Sequence, residues 1–136
     1  MVSSTKPRSR KTLSPACLRG VHVLLVEDAW QVGEALKDLL QSMGATVAGP
    51  AATTGEANRL ISDRSPDVAL VDFRLRGDDV ADNLIQRLNG LGVRVVVISG
   101  CEVLPPSTGC VAAFLKKPFT EEQLLATLQP LIAPAS

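Results

Sequence analysis

Tyrosine is absent from the 136 residues, and the only aromatic residues are one tryptophan and three phenylalanines. Proteins that bind single-stranded nucleic acid stack bases on aromatic side chains, so this scarcity argues against that function. One histidine and three widely spaced cysteines form neither a zinc-ligand motif nor a disulfide framework. Three free thiols are typical of a reducing compartment, with a redox pair of Cys101 and Cys110 as the alternative.

Long apolar runs are also absent, although 46% of the residues are hydrophobic. No run approaches the roughly 20 residues that span a bilayer, and the N-terminus lacks the apolar stretch of a secretory signal. We therefore expect a cytoplasmic protein without a membrane partner. Its length fits one domain, since domains commonly have roughly 100–200 residues.

Acidic side chains are missing from residues 1–19, which contain five basic ones. Residues 20–136 contain nine basic and fourteen acidic side chains, a net charge of −5, which argues against a nucleic-acid-binding domain. Residues 1–19 also lack hydrophobic periodicity. We predict a disordered basic N-terminal arm at 1–19, followed by one domain at 20–136.

From residue 21 onward, short apolar runs alternate with amphipathic segments. The runs predict strands at residues 21–26, 46–52, 67–72, 93–100 and 111–117, and the segments between and after them have helical spacing. In the first helix this spacing predicts an apolar stripe that includes Val32, Leu36 and Leu40. Continuous apolar runs are typical of parallel strands that are buried on both faces. The sequence therefore predicts an α/β fold with helices on both sides of the sheet.

Two segments interrupt this pattern. The second run contains Gly49 and Pro50, which predict an edge strand because proline cannot donate to a central ladder. Between the fourth and fifth runs, Pro105 and Pro106 forbid a regular helix in the middle of the linker. Whether this linker forms a helix at all is left open.

Polar side chains stand at the carboxyl ends of the predicted strands, where open parallel sheets bind ligands. The first strand ends in Glu27 and Asp28, the third in Asp72, the fourth in Ser99, and the fifth in Lys117 before a proline. We therefore expect three carboxylates, a hydroxyl and an ammonium group to converge on one edge of the sheet.

Three clustered carboxylates repel one another and need a cation. Oxygen ligands without histidine or cysteine favour a hard ion such as Mg²⁺. A carboxylate beside this ion can attack phosphorus and form an aspartyl phosphate. Phosphoryl transfer depends mainly on positioning and charge neutralisation, which Mg²⁺, a lysine and a hydroxyl supply together.

The motifs ED, D, SG and KP, each at the end of an apolar strand, resemble the receiver domain of two-component response regulators. The resemblance covers about residues 20–133. It implies a flavodoxin-like (CheY-like) doubly wound sheet of five parallel strands in the order 2-1-3-4-5. It also implies that Asp72 accepts the phosphoryl group, and that Glu27, Asp28 and Asp72 help to hold Mg²⁺.

The resemblance assigns further roles around the acceptor. Lys117 and Ser99 correspond to the lysine and the hydroxyl that contact the phosphoryl group, and Phe114 to the aromatic residue that changes rotamer in step with Ser99. The main-chain carbonyl of Arg74 corresponds to another Mg²⁺ ligand. Arg74 and Arg76 depart from the usual acceptor loop, so we predict that they modulate the reaction.

The segment between Ser99 and Lys117 is about one helical turn shorter than in the family. The fourth helix of the family fold, between the fourth and fifth strands, is therefore expected to be shortened or irregular. The phrase VAGPAATTGEA and the proline-containing linker resemble stand-alone receivers that pair with histidine kinases of the HWE or HisKA2 type.

The function that the resemblance implies is that of a single-domain response regulator. It would take a phosphoryl group from the phosphohistidine of a histidine kinase or histidine phosphotransferase, in a Mg²⁺-dependent reaction. It would promote its own phosphorylation and dephosphorylation without being an enzyme in the usual sense. Because no DNA-binding domain is expected, output would come through contacts with a downstream protein. The sequence does not identify that protein. Whether two copies form a homodimer is left open.

Two other classes of protein compete with this hypothesis. The first is a receiver-like interaction module that is not phosphorylated, which Arg74, Arg76 and the short linker favour. The second is a cofactor protein or phosphatase of similar topology. A flavodoxin would have a Ser-, Thr- and Gly-rich phosphate loop after the first strand. A haloacid-dehalogenase-type phosphatase would have an aspartate at position 74.

Overall fold

The structure, a computed structural model, describes residues 18–73, 82–100 and 111–132. Several predicted features lie outside these ranges: most of the arm, the arginines Arg74 and Arg76, the linker with Pro105 and Pro106, and the pair Cys101 and Cys110. Predictions about them therefore stay predictions. No helix within the ranges combines the length and the apolar character needed to cross a membrane.

The five predicted strands are present, each within two residues of its expected bounds. They are β1 (His22–Val26), β2 (Thr46–Ala51), β3 (Val68–Asp72), β4 (Arg94–Ser99) and β5 (Ala113–Lys116). All neighbouring strands pair in parallel, in the order β2-β1-β3-β4-β5. The flavodoxin-like fold class and the edge position of β2 are thereby confirmed.

Four helices within the described ranges cover both faces of the sheet. They are α1 (Trp30–Ser42), α2 (Thr54–Asp63), α3 (Asp82–Gly90) and α4 (Glu121–Ile132). One buried cluster joins the strands to α1 and α4 and includes Val23, Leu25, Leu40, Leu70 and Leu124. The other joins them to α2 and α3 and includes Leu24, Val26, Ile61, Val71 and Leu88. Successive strand residues alternate between the two clusters, as the pleat of a strand requires.

The inward face of α1 differs from the predicted stripe. Leu36 and Leu40 are buried, but Val32, which lies on the same predicted stripe, is 39% exposed. Gly33 is the buried residue of that turn, because α1 lies too close to β2 there to leave room for a larger side chain.

The residues that the structure describes begin at Leu18, inside the segment that we assigned to the arm. Leu18 is fully buried, and its N–H donates to the carbonyl oxygen of Met43 over 2.8 Å. A single leucine beside basic residues has no periodic partner in the sequence. Its packing against the end of α1 is a long-range contact that a local pattern does not reveal.

Candidate functional site

The carboxyl ends of the strands bring the predicted acidic residues together. Glu27 directly follows β1, Asp28 comes next, and Asp72 ends the neighbouring strand β3. Carboxylate oxygens from these three residues all lie within 4.8 Å of one another. Glu27 and Asp72 are buried, whereas Asp28 is half-buried.

Lys117, the residue directly after β5, contacts two of these acids. Its Nζ donates to Glu27 Oε1 over 2.8 Å and to Asp72 Oδ2 over 3.1 Å. Its backbone N–H donates to the carbonyl oxygen of Ser99 over 2.9 Å, which fixes the chain at the end of β4. The neighbouring Lys116 is exposed, as expected from the alternation of side chains along β5.

The electrostatics of the cluster favour a charged lysine between two acids. Burial raises the pKa of Glu27, and the neighbouring Asp72 acts in the same direction, whereas Lys117 and the Ala29 N–H oppose the rise. Burial by itself lowers the pKa of Lys117, but Glu27 and Asp72 outweigh this effect, and its pKa is raised. The ammonium group therefore stays charged near neutral pH and offsets part of the repulsion between the acids.

Glu27 is held in place by backbone contacts as well as by Lys117. Its N–H donates to the Ala51 carbonyl oxygen of β2 over 2.8 Å, and the Ala29 N–H donates to its Oε2 over 3.2 Å. Sequence reasoning missed both contacts. The Ala51 contact depends on the register between two strands, and no local motif in the sequence specifies that register.

Ser99 and Phe114 occupy different environments. Ser99 is buried at the end of β4, one residue beyond Ile98, which pairs in register with Asp72. Phe114 pairs in register with Val97, and its side chain is 50% exposed on β5. The structure thus brings Ser99 to the edge that carries the acids and leaves Phe114 at the surface.

The donor set of the cluster fits Mg²⁺. All three side chains offer carboxylate oxygens, the hard ligands that Mg²⁺ prefers. Mg²⁺ binds oxygen at about 2.1 Å in octahedral geometry, so two ligands of one ion lie about 3–4 Å apart. The observed spread of the oxygens, within 4.8 Å, is compatible with this spacing.

No protein-family model and no curated protein sequence matches the chain. Solved structures do match it. A CheY-like response regulator receiver domain from Methylobacillus flagellatus is 25% identical over 82% of this chain and 98% of that one, with a TM-score of 0.72. The signal receiver domain of a modulated diguanylate cyclase from Desulfovibrio desulfuricans G20 is 27% identical over 82% and 93%, also at 0.72. The chain has the fold of a response regulator receiver domain.

A third receiver domain also has the same fold as this chain. The PhyR response regulator domain from Erythrobacter litoralis is 24% identical over 88% of this chain and 98% of that one, with a TM-score of 0.71. In the receiver fold the switch of strand order lies between β1 and β3. The Glu27, Asp28 and Asp72 cluster stands at that switch point, where open α/β sheets bind their ligands.

Proposed function

We propose that this receiver domain accepts a phosphoryl group on Asp72 from a phosphohistidine. The single observation that supports this most strongly is the contact of Lys117 Nζ with Asp72 Oδ2 inside a cluster of three carboxylates. The acceptor oxygen lies beside a fixed positive charge. Phosphoryl transfer depends on positioning and charge neutralisation of this kind.

In the proposed step, an Asp72 carboxylate oxygen attacks phosphorus. An O–P bond forms, the P–N bond of the phosphohistidine breaks, and the departing imidazole nitrogen takes up a proton from solvent water. Lys117 offsets charge on the acceptor and on the transferred group. The Ser99 hydroxyl, buried at the end of β4, donates a hydrogen bond to a phosphoryl oxygen.

Glu27, Asp28 and Asp72 would hold Mg²⁺ at the site, and the resemblance to receiver domains assigns a further ligand to the main-chain carbonyl of Arg74. When bound, the ion supplies positive charge that neutralises the phosphoryl oxygens. Glu27 is the most deeply buried member of the set, so its carboxylate needs a positively charged partner whether or not the ion is bound. Lys117 fills that role in the structure.

The proposed biological setting follows from this chemistry. The donor is a histidine kinase or histidine phosphotransferase, and the output is a contact with another protein in the cytoplasm. The domain is a phosphoacceptor that promotes its own phosphorylation and dephosphorylation. Arg74 and Arg76 are proposed to tune the dephosphorylation rate.

The test uses the purified chain and acetyl phosphate, with and without Mg²⁺, and measures intact mass. We expect wild type to gain one phosphoryl group only with Mg²⁺, and Asp72→Asn to gain none. A wild-type protein that neither binds Mg²⁺ nor gains mass would overturn the proposal. That result would favour an interaction module that is not phosphorylated.

A further inference from the structure

The strand next to Glu27 contains one extra residue. In the pairing of β1 with β2, Leu24 lies opposite Ala48 but Val26 lies opposite Ala51, so the register shifts between them. Gly49 and Pro50 form this bulge. Gly49 has a φ of +110°, a backbone conformation that residues with a β-carbon rarely adopt. Bulges often lie beside functional sites, where they redirect a side chain.

Helix α1 contacts the bulge at Gly33. A β-carbon added to Gly33 would lie 2.8 Å from Pro50 Cβ and 2.9 Å from Pro50 Cγ, closer than carbon atoms normally approach. The same β-carbon would lie 3.7 Å from Glu27 Cβ. Glycine at position 33 therefore lets α1, the bulge and Glu27 meet at one point.

The bulge also sets the backbone of Glu27. Ala51, the first residue after Pro50, accepts the hydrogen bond from the Glu27 N–H over 2.8 Å. A β-carbon at Gly33 would meet Pro50 too closely but Glu27 Cβ only at an ordinary contact distance of 3.7 Å, so the strain would reach Glu27 through the bulge. A movement of Pro50 away from α1 would move the Ala51 carbonyl and displace a carboxylate whose Oε1 is held 2.8 Å from Lys117 Nζ.

We propose that Gly33 is a positioning residue for Glu27, acting through its contact with the bulge at Gly49 and Pro50. This inference rests on the proposed function, because it assigns Gly33 a part in preparing the Mg²⁺ site. Gly33 itself offers no ligand atom to the ion. Its contribution is the space that lets the Glu27 carboxylate take its place in the cluster.

The experiment compares Mg²⁺ binding by wild type and Gly33→Ala, with Trp30 fluorescence as the readout. Trp30 is 69% exposed and lies two residues after Asp28. We expect the dissociation constant for Mg²⁺ to rise about 10-fold in Gly33→Ala, as when a residue that orients a metal ligand is changed. Gly55→Ala is the matched control, since its new β-carbon would have only Thr53 Oγ1 nearby, at 3.8 Å. The control should bind Mg²⁺ like wild type.

A double variant tests whether the clash between position 33 and Pro50 causes the effect. Recovery of Mg²⁺ binding in this variant would show that Gly33→Ala does not act by misfolding the domain. Gly33→Ala with Pro50→Gly removes both proline carbons that the new methyl group would meet, so we expect Mg²⁺ affinity to return to within about threefold of wild type. A second readout needs no metal: the ¹³C shift of the Glu27 carboxyl carbon should change in Gly33→Ala and stay unchanged in Gly55→Ala.

The outcomes separate the two proposals. If wild type binds Mg²⁺ and Gly33→Ala binds it equally well, with an unchanged Glu27 carboxyl shift, the role of Gly33 is overturned. If the double variant binds as weakly as Gly33→Ala, the contact with Pro50 is not the cause, and the inference also fails. If wild type itself binds no Mg²⁺, the proposed function fails instead, and the metal-free Glu27 shift still tests whether Gly33 positions that carboxylate.

Discussion

Lys117 Nζ lies 2.8 Å from Glu27 Oε1 and 3.1 Å from Asp72 Oδ2, so one ammonium group bridges the ends of β1 and β3. The Glu27 side chain is fully buried, and that of Lys117 is 29% exposed. A buried carboxylate without a partner is costly. The lysine therefore stabilises the acids before any ion or phosphoryl group arrives.

The first prediction concerns Lys117→Met. Removing the ammonium group leaves Glu27 without its ion-pair partner, so the free energy of unfolding should fall by about 1–3 kcal/mol in Mg²⁺-free buffer. Phosphorylation by acetyl phosphate should slow by about 100- to 1,000-fold, because a donor that stabilises the transferred group is lost. Chemical denaturation and intact mass measure the two effects.

Mg²⁺ and the ammonium group compete for the same carboxylates. We therefore expect Lys117→Met to bind Mg²⁺ more tightly than wild type does, although it is phosphorylated more slowly. The control is Lys116→Met, which removes the charge of an exposed lysine on β5 and should change the phosphorylation rate and the Mg²⁺ affinity far less than Lys117→Met does. Weaker Mg²⁺ binding by Lys117→Met would contradict the bridging role.

Leu18 provides a test of where the folded domain begins. Its side chain is fully buried in the cluster that contains α1 and α4. Leu18→Ala should lower the free energy of unfolding by about 2–5 kcal/mol, the usual cost of a buried leucine-to-alanine change. Leu91→Ala is the matched control at a side chain that is 50% exposed, and it should cost less than about 0.5 kcal/mol. Equal effects in urea denaturation would mean that Leu18 is not part of the core.

His22 makes the stability depend on pH. It is buried at the start of β1, and its Nδ1 has no hydrogen-bond partner among the residues that the structure describes. Burial lowers its pKa below the ordinary value of 6.5, with Arg64 acting in the same direction and Asp67 against it. His22 therefore becomes protonated at a higher pH in the unfolded chain than in the folded chain.

The stabilising contribution of neutral His22 is present above pH 6.5 and declines as the pH falls toward the lowered pKa. We expect wild type to lose stability relative to His22→Leu as the pH is lowered from about 7.5 to about 5. Urea denaturation of both proteins across this range measures the difference. A difference that stays constant with pH would show that His22 titrates alike in both states.

Local periodicity was sufficient to predict the five strands, whereas their order was predicted from the resemblance to receiver domains. Continuous apolar runs such as residues 93–100 indicate strands that are buried on both faces, and parallel pairing brings their carboxyl ends together. For this reason the approach of Glu27, Asp72 and Lys117 could be expected before any coordinates were known.

Contacts that depend on register or on close packing could not be predicted. Three such features depend on contacts between segments that are distant in sequence: the bulge in β2, the burial of Gly33 in place of Val32, and the packing of Leu18. A hydrophobic stripe predicts which face of a helix turns inward. It does not specify how closely that helix approaches the neighbouring strand.

Chemical trapping of the phosphorylated product identifies the residue that receives the phosphoryl group, which we propose is Asp72. Wild type is incubated with acetyl phosphate and Mg²⁺, reduced with borohydride, digested, and analysed by peptide mass. Reduction of an aspartyl phosphate converts that aspartate to homoserine. We expect homoserine at position 72 and none at position 28. Homoserine at position 28, or a phosphoryl group that resists reduction and maps to Ser99, would contradict it.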